Sequence, residues 1–130
     1  MANDRTIVLE LYKGEQLASF DNGTGQTHWS AEDTWELGPL AREVRAYMKI
    51  HEIDALTDVS IVAEWSVDRI TWATFATDIM GIKTATGLHK SEYTTGADFG
   101  PFVRFGVQVA DNTAAARKTA TVTVTLVLET

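Results

Sequence analysis

Imidazole binds metals and moves protons near neutral pH, so the histidines of this chain are the first residues to examine for chemistry. His28, His51 and His89 stand far apart, and no pair has the His-x-x-x-His spacing that presents two nitrogens to one ion, so they read as surface histidines. The serines, Ser19, Ser30, Ser60, Ser66 and Ser91, all lie outside the Gly-x-Ser-x-Gly turn that exposes a nucleophile. Asp21-Asn22-Gly23-Thr24-Gly25 offers oxygens of the kind calcium takes, yet it lacks the recurring Asp spacing of an EF-hand loop and reads as a turn. The same glycines lack the following Lys and Ser or Thr of a phosphate loop. Glu32, Asp33 and Glu36 sit in a polar stretch and read as a solvated face. With no acid, base and nucleophile in a recognisable constellation, the expectation is a protein that is not an enzyme and uses no metal or cofactor.

The four tryptophans pose a sharper question, because sandwich domains that bind sugars stack pyranose rings on exposed aromatics. Trp65 shares a strand face with Ile61 and Ala63, which assigns it to the core. Trp29 and Trp35 stand among polar residues with no apolar partner at matching spacing. An exposed aromatic marks a protein interface more often than a glycan site, so Trp29, Trp35 and Tyr47 are the candidate interface anchors.

The elements that position these residues follow from a period of two. Val103, Phe105, Val107 and Val109, then Ala120, Val122, Val124, Leu126 and Leu128, place an apolar side chain at every second position, with Thr119, Thr121, Thr123 and Thr125 alternating on the second run. Successive side chains of a strand point to opposite faces, so these are strands with one wet and one packed face, separated by the turn cluster Asp111-Asn112-Thr113. Val44 to Ile50 alternates too, although Leu40 to Ile50 is rich in good helix formers. Val59 to Ser66 and Ile70 to Thr77 flank Val67-Asp68-Arg69 as a hairpin. Thr6 to Tyr12 and Gln16 to Phe20, joined by Lys13-Gly14-Glu15, read as an opening hairpin. The stretch from Thr27 to Leu40 has a weak pattern, and Gly81 to Gly100 reads as a long connection or one short strand. The sum is an all-β protein, an antiparallel β-sandwich of about seven or eight strands.

Composition sets the bounds. A chain of 130 residues with no internal repeat and no linker of low complexity is expected to form a single domain over residues 1–130. No cysteine is present, so disulfides and thiolate metal sites are excluded. A net charge of −7 and an isoelectric point near 4.8 disfavour nucleic-acid and anionic-membrane surfaces, which need clustered Lys and Arg. The N-terminal residues run into a strand-like segment without an apolar stretch of signal-peptide or membrane-spanning length, which leads us to expect synthesis and folding in a cytoplasm.

Two stretches carry a likeness. Val59 to Phe75, in which a strand ending in Ser leads through an Asp-containing turn to Thr-Trp, is similar to a hairpin of jelly-roll and discoidin-like sandwiches. Pro101 to Leu128, with Phe-Val-Arg-Phe-Gly-Val-Gln-Val and then Thr-Val-Thr-Val-Thr-Leu, resembles the small β-sandwich proteins of tailed bacteriophages, capsid decoration proteins among them. The resemblance implies a jelly-roll-like structural protein of the virion, made in the host cytoplasm, that binds the major capsid protein or another virion protein. It also implies a homo-oligomer, a trimer being suited to three-fold lattice positions. The alternative is a carbohydrate-binding β-sandwich module using exposed Trp.

Overall fold

The computed structural model describes residues 6–30, 34–36, 43–75, 78–91, 94–95 and 101–129. Glu32, Asp33 and part of the weakly patterned stretch up to Leu40 lie outside the described residues. Ten strands are described: β1 (Thr6–Ala18), β2 (Gln26–Trp29), β3 (Glu43–Ile53), β4 (Thr57–Ser66), β5 (Ala73–Thr74), β6 (Met80–Lys83), β7 (Gly87–Lys90), β8 (Thr94–Thr95), β9 (Phe102–Asp111) and β10 (Thr119–Glu129).

They form two five-stranded antiparallel sheets. In the first the order is β1-β10-β3-β7, with β8 extending the β7 position along β3; in the second it is β2-β9-β4-β5, with β6 pairing β4 beyond β5. Counting β5 with β6 and β7 with β8 as single positions gives two four-position sheets between which the chain crosses at every step except β4 to β5, the double-sheet pattern of a jelly roll. The expected all-β sandwich is therefore the fold.

The core is the meeting of the two period-two runs. Phe105, Val107 and Val109 on β9 and Val122, Val124 and Leu126 on β10 are all 0% exposed, and Met48 and Ile50 on β3 face Ile61 and Ala63 on β4 in the same cluster. β9 and β10 are consecutive in sequence but belong to different sheets, so the segment between them is a corner and not a hairpin. Asp111 shapes that corner. Its carboxylate accepts hydrogen bonds from the Thr113 amide and hydroxyl at 2.9 and 2.7 Å and from the amides of Ala115 and Ala116 at 3.2 and 2.9 Å. Its own amide donates to the Gly23 carbonyl, fastening the β1–β2 turn to the corner.

Two readings of the sequence are corrected. The segment from Thr6 to Phe20 is not a hairpin: β1 is continuous to Ala18 and pairs with β10 along its length, with register shifts at Glu10/Tyr12 and Tyr12/Glu15. Gly14 explains the misreading. It takes a left-handed φ of 63° as a turn glycine would, but its amide donates to Thr123 Oγ1, so the extra residues bulge while the strand goes on. Between Gly81 and Gly100 the chain forms parts of β6, β7 and β8 where one short strand at most was expected. These strands are short and carry exposed Ile82 and Leu88, so their alternation does not report burial.

Truncating Phe105 at the centre of the core is expected to lower stability by about 3–5 kcal/mol in urea unfolding of Phe105→Ala. Asp111 yields a pH prediction. Its backbone and hydroxyl donors, Thr113 first, hold the carboxyl far below the usual carboxylate range. Its contribution is then present above the unfolded value and lost as pH falls from about 4 toward the lower folded value. Asp111→Asn should melt at lower temperature at pH 7 and show a smaller further decrease between pH 4 and pH 2 than the parent protein.

Candidate recognition surface on the second sheet

The outward positions of β9 and β4 alternate with the core positions and include Arg104, Gly106 and Gln108 beside Val62 and Glu64. β2 pairs β9 so that Trp29 stands opposite Gly106 and Thr27 opposite Gln108. Gly106 is the local necessity: a Cβ there would lie 2.8 Å from both Trp29 Cε3 and Thr27 Cγ2, and 3.1 Å from the His28 carbonyl oxygen. The missing side chain lets the Trp29 indole come close against the β9 backbone.

Arg104 holds this face together. Its Nε and Nη2 both donate to Glu64 Oε1, and its guanidinium carbon lies 4.3 Å from the ring centroid of Trp29 and 4.3 Å from that of Trp72. The side chains of Arg104 and Glu64 are only 22% and 21% exposed, so the pair is shielded from much of the solvent screening that weakens surface ion pairs. Beside the stack lies a groove of about 200 Å³, lined by Thr27, Trp29, Val62, Ala63, Glu64, Thr74 and Gln108.

The β4–β5 hairpin tip flanks this face. Asp68 Oδ1 accepts from the Ser66 hydroxyl and from the amides of Ile70 and Thr71, while Ser66 Oγ accepts from the amides of Asp68 and Arg69. Those bonds, from Thr71 and Ile70 first, hold the Asp68 carboxyl below its usual range. Arg69 takes a left-handed φ of 65°, and its guanidinium sits 4.3 Å from the Phe102 centroid.

The three candidate anchors are not brought together. Trp29 is half-buried in the Arg104 stack. Trp35 is also half-buried: it bridges to Val103, and its ring meets Phe105 at 5.9 Å with planes tilted by 48°, so its apolar partner comes from a distant strand. Tyr47 is half-buried on the outward side of β3, between Thr125 and Lys90, on the opposite sheet. Trp65 is half-buried and packs against the core cluster, as its alternation implies.

Two of the histidines differ from the surface reading. His28 is half-buried, its Nε2 lying 2.6 Å from the Ala18 carbonyl oxygen, and His89 is half-buried with Nε2 2.7 Å from the Ala85 carbonyl oxygen. His28 joins β2 to the end of β1, and the Tyr12 hydroxyl reinforces that joint by donating to the His28 carbonyl. Burial, with a smaller contribution from the Glu15 charge, pushes the Tyr12 phenol up to about 12, so it remains a donor at neutral pH.

Sequence reasoning missed Arg104, Glu64, Gln108 and Thr74, and gave Trp72 no role. The available signal was Gly106, a glycine in the middle of an otherwise strong strand, which marks a close approach by some other group.

No protein family matches the chain, and no curated protein is significantly similar to it. Solved structures are. The VP2 capsid protein of infectious bursal disease virus, in its subviral particle, overlays 97% of this chain with a TM-score of 0.63 at 9% identity. The structure of the Gx strain of the same virus overlays 98% with a TM-score of 0.66, also at 9% identity. In fold this chain is similar to a virus capsid protein. It spans about a third, 32%, of the length of those virus chains. A looser overlay, with a TM-score of 0.43 and 12% identity over 94% of this chain and 92% of the other, is with the CBM22-1 xylan-binding domain of Paenibacillus barcinonensis Xyn10C.

The stack is testable by itself. Arg104→Ala removes the cation from both indoles and leaves Glu64 without its partner, so a loss of about 1–3 kcal/mol is expected in chemical unfolding. Gly106→Val should displace Trp29, read as a red shift of tryptophan emission in a protein whose far-ultraviolet circular dichroism still reports strands.

Proposed function

We propose that this chain is a non-enzymatic structural protein of a virus particle, a single β-sandwich domain that binds the outside of a bacteriophage capsid, or another virion component, and stabilises it. The observation that supports this reading is the overlay of 98% of the chain on a virus structure with a TM-score of 0.66. The mechanism is mass action: a protein that binds the assembled shell in preference to free subunits shifts the balance toward the shell. A net charge of −7 keeps such a protein soluble before it docks.

Tyr47 is the anchor we assign to the contact with the shell. It stands on the outward side of the first sheet, where Thr121, Thr123 and Thr125 form a half-buried row on β10 and Leu88 on β7 is 70% exposed. This combination of an amphipathic ring, short hydroxyl side chains and an exposed aliphatic suits a broad, shallow protein contact. Trp29 and Trp35 serve as secondary anchors at the other sheet. The docked form is a homo-oligomer, with a trimer matching three-fold lattice positions.

Purified protein is expected to co-sediment with capsids of its own virus and to raise the temperature at which they dissociate. Tyr47→Asp should weaken that binding about tenfold or more while leaving the monomer folded. A folded protein that stays in the supernatant and is missing from virions by mass spectrometry overturns the reading.

A further inference from the structure

The groove on the second sheet has a composition that docking on a shell does not require. Trp29 borders it. The Arg104 guanidinium covers one face of that indole, and the ring lines the groove together with Thr27 and Gln108. Val62, paired with Gly106, forms an apolar floor. Around that floor stand polar groups that make no hydrogen bond to the described residues: the Gln108 amide and the hydroxyls of Thr27 and Thr74. Glu64 adds a carboxylate whose Oε1 takes both Arg104 donors, leaving Oε2 on the same face.

A groove lined by an aromatic ring, a planar amide and a carboxylate is matched to a sugar ring. The axial C–H groups of a pyranose stack on the indole, and adjacent hydroxyls pair with an amide or carboxylate as both donor and acceptor. The cation of the site is already committed. Arg104 is ion-paired to Glu64 and enclosed by two indoles, so an acidic sugar or a phosphate would meet a carboxylate with no free positive charge to offset it. The ligand is therefore neutral.

We propose that the groove between Trp29 and Thr74 is a binding subsite for one pyranose ring of a neutral glycan, with Trp29 as the stacking platform and Gln108 and Glu64 as the hydroxyl-pairing groups. Trp72 is a positioning residue: it acts through Arg104, which fixes both Trp29 and Glu64. The inference does not rest on the capsid reading: the main anchor of that reading, Tyr47, lies on the opposite sheet, only Trp29 is shared between the two, and the subsite would hold for a sandwich with no viral role.

The test is calorimetric titration of the full chain with neutral hexaoses of glucose, mannose, galactose and xylose, followed by a sialylated and a sulfated oligosaccharide. At least one neutral hexaose is expected to bind with a dissociation constant below about 1 mM and to perturb tryptophan emission. Gln108→Ala should weaken that binding about tenfold, since one paired hydroxyl is lost, and Trp29→Ala should abolish it. Gln108→Ala lies outside the core and the Arg104 stack, so it should keep the fold by circular dichroism, and it keeps the test valid if Trp29→Ala fails to fold. The proposal is overturned if the folded chain binds none of the neutral hexaoses at about 10 mM, if binding survives Gln108→Ala unchanged, or if the acidic oligosaccharides bind more tightly than the neutral ones.

Discussion

The shared core into which β9 and β10 both bury every second side chain is the constraint on which the rest of the molecule depends. Each strand is flanked on both sides within its own sheet, β9 by β2 and β4 and β10 by β1 and β3, and each buries every second side chain. A slip of one residue in either strand would turn Phe105 or Leu126 out to water and bring Arg104 or Thr125 into the core, so burial fixes register. The outward faces inherit their order from this constraint. Because Val103, Phe105, Val107 and Val109 must point inward, Arg104, Gly106 and Gln108 must point outward in a line, and the recognition surface follows from the core.

That constraint was also the most legible part of the sequence. β3, β4, β9 and β10 are long, alternate cleanly and are buried on one side, and all four can be read directly from their spacing. What could not be read was connection. A turn-forming cluster such as Asp111-Asn112-Thr113 serves equally well for a hairpin and for a corner between sheets, and only the packing of distant strands decides between them. Gly14 misled for a related reason: a left-handed glycine is required by a bulge as much as by a hairpin turn. The short strands β5 to β8 are only two to four residues long, too short to leave a periodic trace.

The recognition surface was only partly legible. Trp29 stood out as an aromatic in a polar segment, but its partners lie on β9, on β4 and after the hairpin tip, and no spacing in the chain connects Trp29, Glu64, Trp72 and Arg104. Trp35 shows the converse. Its isolation in sequence suggested exposure, yet its apolar partner Phe105 is seventy positions away and meets it only through the sheet edge. The two outward faces end up chemically distinct, one a row of threonines with Tyr47 and the other an aromatic stack around a neutralised cation.

The hairpin tip between β4 and β5 carries a further consequence. Ile70 is 83% exposed and Val67 65% exposed, a combination that in a slack loop would invite both aggregation and cleavage. Here the Ser66 and Asp68 side chains occupy the amides of residues 68 to 71, and the Arg69 backbone is left-handed with its side chain laid on Phe102. A serine protease must draw several residues into an extended conformation to cut after arginine, and this knot withholds that conformation. The bond following Arg69 is thus held away from the extended form that such a cut requires although it lies on the surface, and the tip displays its aliphatic side chains in a fixed shape.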